Sequence, residues 1–322
     1  MEYTRLGSTG LTVSRVALGC MTYADASRGF HAWALDEEAS GAFFRQAVEL
    51  GITFWDTANV YSAGTSEEFV GRAIRRYTRR EDVVLATKVH GRMHDGPGGS
   101  GLSRKAILEQ VDASLTRLGT DHVDLYQIHR FDPEVPVEET MEALHDVVKA
   151  GKARYIGASS MYAWQFATMQ HAADLGGWTR FVSMQDQYSL LMREEEREMF
   201  GLLAAQGVGA IPWSPLARGR LARPWGEQTN RSETDEFGKR LYQDSDADIV
   251  GAVERVARDR GVAMSTVALA WVLHNPVVDA PIVGATKAHH LPDAVAALDL
   301  ELTDDEVASL EAAYTPREPS GF

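Results

Sequence analysis

The sequence predicts an α/β fold, a closed (β/α)8 barrel built as one domain over residues 1–322. Three observations lead there. Apolar runs rich in β-formers alternate with helix-period stretches along the whole chain, the pattern of parallel strands joined by crossover helices. The runs number eight, at residues 15–19, 53–56, 82–88, 122–129, 153–159, 181–185, 208–213 and 280–284, which is the strand count of a closed barrel. No composition break, internal repeat or low-complexity tract divides the chain.

The elements follow in order. Residues 3–14, around Ser8-Thr9-Gly10, read as a hairpin able to plug the amino-terminal end of the barrel. Leu35-Asp36-Glu37-Glu38 opens a helix with acid at its positive end, and Gly51 closes it. Ser103 can cap a helix that runs to Leu118 and stops at Gly119. Another runs from about Val137 to Ala150 and stops at Gly151. Thr303-Asp304-Asp305-Glu306 resembles a capping box at the head of a last helix. Residues 90–101 are Gly-rich and polar, hence a loop. Residues 217–246 are polar and longer than the roughly 12–15 residues at which connections become unusual, so a functional lid is expected after strand seven.

Composition narrows the function. The formal net charge of −14 disfavours nucleic acid and anionic membrane as partners. Any site for an anionic cofactor must then be locally basic. The single cysteine, Cys20, excludes an intramolecular disulfide framework and points to a reducing compartment. No apolar leader opens the chain and no run approaches membrane-spanning length, so a cytoplasmic location is expected.

The chemistry sits where strands end. Residues at the carboxyl ends of barrel strands converge on one face. Asp56, Lys88 and His129 each terminate a strand, and Tyr61 follows Asp56 by one short loop. A free phenol has a pKa near ~10, and an ammonium beside it favours the phenolate and lowers that value. A carboxylate keeps the lysine charged and fixed, while histidine at the same mouth can orient a carbonyl oxygen. The plain alternative is a buried Asp–Lys structural pair with an incidental tyrosine. Four such residues at one barrel face favour the catalytic reading.

Other strand ends carry weaker signals. Ser159 and Gln185 offer hydroxyl and amide groups suited to a carboxamide, or serve as a helix cap and a satisfied core polar group. Trp213 is a flat wall for a planar ring, or simple packing. Ser214, Leu216 and Gly219 could offer backbone donors to a pyrophosphate. Lys287 and His290 follow strand eight near a helix start, a place that suits anions. Trp33, Trp55 and Met93 suggest an apolar, partly aromatic substrate pocket, with specificity in the loops at 23–33, 90–101 and 217–246. No G-x-G-x-x-G fingerprint follows a first strand, and no P-loop or H-E-x-x-H motif occurs. His90 and His94 lie in a Gly-rich loop, so no metal is expected. A barrel glycosidase would need two acids at strand ends; Asp56 and Asp186 are available, but Lys88 would hold Asp56 ionised.

These residues together resemble the aldo-keto reductase family. The resemblance covers nearly the whole chain: the hairpin, Leu18-Gly19-Cys20-Met21, Asp56-Thr57-Ala58-Asn59-Val60-Tyr61, Thr87-Lys88, Gln127-Ile128-His129, Gly157-Ala158-Ser159, the Gln185 segment, Trp213-Ser214-Pro215-Leu216 and residues 284–293. It looks most similar to the bacterial branch related to YajO-type oxidoreductases and potassium-channel β-subunits. Some related barrels serve as channel-associated or redox-sensing subunits, which leaves a binding role as the alternative to turnover. The resemblance implies NADPH-dependent reduction of an aldehyde or ketone, with NADH possible. Tyr61 would be the proton donor, Asp56 and Lys88 its tuning pair, and His129 the carbonyl-orienting residue. For the cofactor it implies Ser159, Ser160 and Gln185 at the carboxamide and Trp213 stacked on the nicotinamide. Ser214, Pro215, Leu216, Arg218 and Gly219 would line the pyrophosphate. Lys287 and His290 would face the 2′-phosphate and Asp293 the adenine, with Gly19, Cys20, Met21, Gly284 and Thr286 completing the cofactor cleft. Tyr23 would join the substrate pocket. Ser160 and Asp186 stand where many family members carry asparagine, and Ala294 and His290 also depart from the usual pattern.

Overall fold

The computed structural model describes residues 1–29, 32–229 and 233–319. Strands β1 (Tyr3–Arg5) and β2 (Thr12–Ser14) pair antiparallel as a hairpin. Eight parallel strands follow: β3 (Ala17–Gly19), β4 (Phe54–Asp56), β5 (Val84–Val89), β6 (Val123–Ile128), β7 (Ala153–Ser159), β8 (Phe181–Gln185), β9 (Gly209–Ala210) and β10 (Ile282–Val283). They are ordered β10-β3-β4-β5-β6-β7-β8-β9. The two ends meet through parallel bridges Ala210–Val278 and Trp213–Ile282. There the Ile282 amide donates to the Pro212 carbonyl at 2.9 Å and the Asp279 amide to Ala210 at 2.8 Å. The sheet is therefore a closed barrel.

Strands seven and eight are shorter than the sequence runs 208–213 and 280–284 suggested. Pro212 and Pro281 lie inside those runs, and proline has no N–H for a ladder. The ring closes there by isolated bridges instead.

Helices α1 (Glu37–Glu49), α2 (Thr65–Tyr77), α3 (Arg104–Leu118), α4 (Val137–Lys149), α5 (Ala163–Gly176), α6 (Met199–Gln206), α7 (Glu236–Leu241), α8 (Ala247–Arg260), α9 (Met264–His274), α10 (His290–Ala296) and α11 (Asp304–Glu311) fill the connections. Several are bounded as their sequence dictates. Asp36 accepts the Ala39 amide at the head of α1. Ser103 accepts that of Ala106 at the head of α3, and Gly119 ends α3 in the left-handed region. Thr303 and Glu306 form the capping box of α11.

The core has two layers. Inside the amino-terminal end, Leu6 and Val13 from the hairpin pack with Ala17, Phe54, Ala86 and Leu125. The hairpin is thus the plug of that end, pinned where the Gly7 amide donates to Asp279 at 2.6 Å. Outside the sheet, Trp55, Tyr126 and Ile128 belong to the larger cluster shared with the helices. Side chains alternate along a strand. Tyr126 and Ile128 therefore face the helices, while Gln127 between them faces the barrel axis. Register then levels the inward polar residues: Gly19 pairs with Asp56, Lys88 with Gln127 and Ser159 with Gln185. No helix among the described residues is long and apolar enough to cross a membrane.

Candidate active site

Lys88 is fully buried near the end of β5. Its ammonium donates to Asp56 Oδ2 at 2.5 Å, to the Thr57 carbonyl at 2.9 Å and to the Tyr61 hydroxyl at 3.4 Å. Asp56 Oδ1 accepts from both Gln127 and Gln185 at 3.0 Å. The carboxylate is thereby fixed by one ammonium and two amides. The Tyr61 ring meets His129 edge-on, with centroids 5.7 Å apart. The structure brings all four predicted catalytic side chains together.

The electrostatics correct one expectation. Burial raises the Tyr61 phenol above its ordinary value; Lys88 and Arg130 oppose the rise and Asp56 adds to it. The phenol therefore stays protonated at neutral pH, the state a proton donor requires. Burial pulls the Lys88 ammonium down, but Asp56 and Tyr61 together push it above the usual lysine range. Burial, then Lys88, Arg130 and His90, holds His129 well below its usual value. His129 is a neutral imidazole, able to donate one hydrogen bond to an oxygen.

Beside this cluster, the Ser159 hydroxyl donates to the Gln185 carbonyl at 2.6 Å. The Trp213 indole N–H donates to the Ser160 hydroxyl at 3.0 Å, which leaves the Ser160 proton for another acceptor. Both Gln185 N–H groups are used, on Asp56 and on Gln127 at 3.2 Å, so its Oε1 remains as an acceptor. The Ser160 proton, the Ser159 hydroxyl oxygen, the Gln185 amide oxygen and a fixed indole plane give one donor, two acceptors and a flat wall, which fits a nicotinamide carboxamide. Backbone bends support the cleft: Ser160 (φ 42°), Ser214 (54°), Ala217 (48°) and Arg218 (55°) are left-handed, and Gly219 follows at 92°. Such conformations cost on the order of 1–3 kcal/mol in non-glycine residues and cluster at functional sites.

The rest of the expected cleft is mixed. Gly19 ends β3. Cys20 is buried with its carbonyl taken by the Ser66 hydroxyl at 2.8 Å, and Met21 is half-buried. Pro215 is buried and Leu216 half-buried. Arg218 pairs with Asp235 at 2.5 Å, with both side chains buried. That pair ties the 214–219 segment to the long loop, which carries α7 rather than being structureless. Gly284, Thr286 and Lys287 are exposed, and Asp293 is half-buried. His290 departs from expectation. Its Nδ1 accepts the Thr286 amide at 3.2 Å, so that nitrogen caps a turn. Helix α10 also starts at His290, not at Lys287.

The substrate-pocket expectation needs correction at two residues. Trp55 is fully buried, lies 5.2 Å from Phe44 and donates to the Ile52 carbonyl. Asp56 faces the axis, so its neighbour Trp55 faces the helices. Tyr23 is fully buried against Phe43 and Phe44 of α1, at 5.9 and 4.9 Å. Trp33 is buried and Met93 half-buried in loops at the strand ends. Residues 30–31 and 230–232 of the expected specificity loops lie outside the described residues.

Two site residues escaped the sequence reading. Gln127 was legible as an inward position two before His129. Arg130 is half-buried beside Tyr61 and donates to the His129 carbonyl at 2.5 Å; nothing in its local sequence marks it.

A closed parallel barrel with a buried lysine joining a carboxylate to a phenol at its strand ends defines an oxidoreductase that handles carbonyl and alcohol groups. The chain matches the aldo/keto reductase family over residues 15–315 and belongs to it. It is 45% identical to versiconal hemiacetal acetate reductase of Aspergillus parasiticus, over 98% of each chain. It is 43% identical to aldo-keto reductase AFTS1 of Alternaria alternata, over 99% of this chain and 93% of that one. It is 44% identical to a putative aryl-alcohol dehydrogenase, C977.14c, of Schizosaccharomyces pombe, over 98% of this chain and 96% of that one. The protein is an oxidoreductase of this family.

Proposed function

We propose that the protein is an NADPH-dependent reductase that converts an aldehyde or ketone to the alcohol, with Tyr61 as proton donor. The observation that carries this reading is the Lys88 ammonium standing between Asp56 Oδ2 and the Tyr61 hydroxyl, at 2.5 and 3.4 Å.

When bound, NADPH supplies the hydride. The residues of the chain supply position and charge. Ser159, Ser160 and Gln185 would hold the carboxamide, and Trp213, which donates to Ser160, would wall the ring. Residues 214–219 would line the pyrophosphate and Lys287 would meet the 2′-phosphate. Neutral His129 and protonated Tyr61 converge on the substrate carbonyl oxygen. Tyr61 donates its proton as negative charge develops there, and Lys88 stabilises the phenolate left behind.

The substrate class rests on two supports. One relative is named as a versiconal hemiacetal acetate reductase and another as a putative aryl-alcohol dehydrogenase. Phe131, two residues past His129, meets Trp164 edge-on at 6.3 Å, an aromatic step at the strand-end face. Aromatic aldehydes are therefore the first substrates to test. The reading further takes the chain as one catalytic domain, cytoplasmic, with small carbonyl compounds as partners. The relatives named above are fungal, so the YajO-type bacterial branch is a finer reading than the family. Absorbance loss of NADPH with a panel of aryl and alkyl aldehydes is the test. No turnover with any of them, despite cofactor binding, would favour the binding-subunit role.

A further inference from the structure

Residues 186–196 carry four acids on the strand-end side of β8. Glu194 accepts from Arg197 at 2.6 Å, and from the Tyr314 hydroxyl at 2.7 Å. Glu196 accepts from Arg193 at 2.8 Å and from Tyr188 at 2.8 Å. Asp186 and Glu195 differ. Both are buried, at 2% and 7% exposed, and among the described residues neither forms an ion pair within 4.0 Å. Both Asp186 oxygens are buried with no hydrogen-bond donor in reach. Glu195 faces Asp186, and the amides of Ser160 and Met161 approach Asp186 without completing a hydrogen bond.

Two buried carboxylates in contact cannot both be charged. Removing one proton leaves an anion to which the remaining carboxyl donates, and removing both sets like charges against each other. One carboxyl donating to the other satisfies both.

We propose that Asp186 and Glu195 form a proton-sharing carboxyl pair that positions the Ser160 turn, and with it the carboxamide end of the cofactor cleft. The link is direct along the chain. The Gln185 carbonyl, one residue before Asp186, accepts from the Ser159 hydroxyl and the Ser160 amide. The Asp186 carbonyl accepts the Trp213 amide at 2.8 Å. Trp213 in turn fixes the Ser160 hydroxyl. The pair acts through these groups, so Asp186 and Glu195 are positioning residues. The positioning half rests on the cofactor assignment made above; the proton-sharing half does not.

Burial pushes Asp186 up to about 7, opposed first by the Glu195 carboxyl and then by the Ser160 amide, Arg130 and the Met161 amide. Burial and then Asp186 and Glu194 raise Glu195 further. The stability the doubly protonated pair contributes falls as pH rises through the first ionisation, and the shared proton itself is lost only at the second, on the alkaline side.

Two measurements test the proposal on the full-length protein. Infrared spectra of cofactor-free protein, recorded below and above neutral pH, should show a protonated carboxyl that titrates near neutrality. That band should be missing in both Asp186→Asn and Glu195→Gln. Its absence from the wild-type protein would overturn proton sharing, whatever the cofactor does. NADPH affinity, read from tryptophan fluorescence across the same pH range, should fall several-fold on the alkaline side in the wild type. In Asp186→Asn the amide donates permanently to Glu195, so the alkaline loss should disappear while affinity at low pH is kept. Equal pH dependence in the wild type and both variants would overturn the positioning role. Failure of every form to bind NADPH would instead count against the cofactor reading and, with it, the positioning half.

Discussion

The Lys88 ammonium lies 2.5 Å from Asp56 Oδ2 at the closed end of the site and 3.4 Å from the Tyr61 hydroxyl at its open end. One cation therefore serves two anions, the carboxylate permanently and the phenolate only when it forms. Burial alone would make the phenolate inaccessible. In the proposed mechanism, the lysine is the group that would offset that cost at the moment of proton transfer.

Replacing Lys88 by Met is expected to do two things. Asp56 stays buried with only amide donors, so stability should drop by about 3–5 kcal/mol, the usual result of breaking one side of a buried pair. Tyr61 loses its largest opposing charge, so burial raises the phenol further and the alkaline limb of the pH–rate profile should move up. Denaturant unfolding and a pH–rate series check both. An unshifted alkaline limb in a folded variant would mean that Lys88 and Tyr61 are not coupled.

A second buried pair should separate stability from chemistry. Glu67 is fully buried and accepts from Arg117 Nε at 2.6 Å and from the Thr87 hydroxyl at 2.5 Å. Thr87 precedes Lys88 but faces the helices. Arg117→Met should therefore cost about 3 kcal/mol in unfolding free energy while turnover of the folded fraction stays within about twofold, because Glu67 touches none of the reacting groups. Loss of turnover in a fully folded variant would mean that this pair holds the active site as well as the helices.

Much of this architecture was legible in the chain because local rules agreed with the fold. Asp36, Ser103, Gly119 and Thr303 act where their chemistry puts them. The convergence of Asp56, Tyr61, Lys88 and His129 was legible because strand ends converge in any parallel barrel. What failed was side-chain direction. Trp55 and Tyr23 looked like pocket residues by proximity in sequence, yet the alternation that turns Asp56 inward turns Trp55 outward. The same alternation, applied to residues 127–129, would have found Gln127. The Tyr61 pKa was misjudged because a sequence shows which charges are near but not how much water is removed. Non-local contacts were out of reach: the Asp186–Glu195 pair, Arg218–Asp235, and the His290 ring turned onto the Thr286 amide.

Cofactor preference should depend on Lys287. His290 accepts a backbone amide through Nδ1, so the exposed Lys287 is the cation proposed for the 2′-phosphate. Lys287→Ala should weaken NADPH binding by roughly tenfold and leave NADH binding nearly unchanged. The gap between the two cofactors should also narrow as salt rises, since an exposed phosphate contact is screened. Competition titrations with both cofactors check this. Equal wild-type affinities would remove Lys287 from the cofactor site and leave the catalytic cluster untouched.

The central claim is that the Tyr61 hydroxyl delivers the proton, and Tyr61→Phe tests it most directly. The substitution keeps the ring against His129 and removes only the oxygen near Lys88. Single-turnover reduction of an aromatic aldehyde by NADPH should slow by roughly 10²–10⁴-fold, while NADPH affinity, measured by fluorescence, stays within about threefold. A variant that binds NADPH normally and turns over at more than a tenth of the wild-type rate would contradict the assignment.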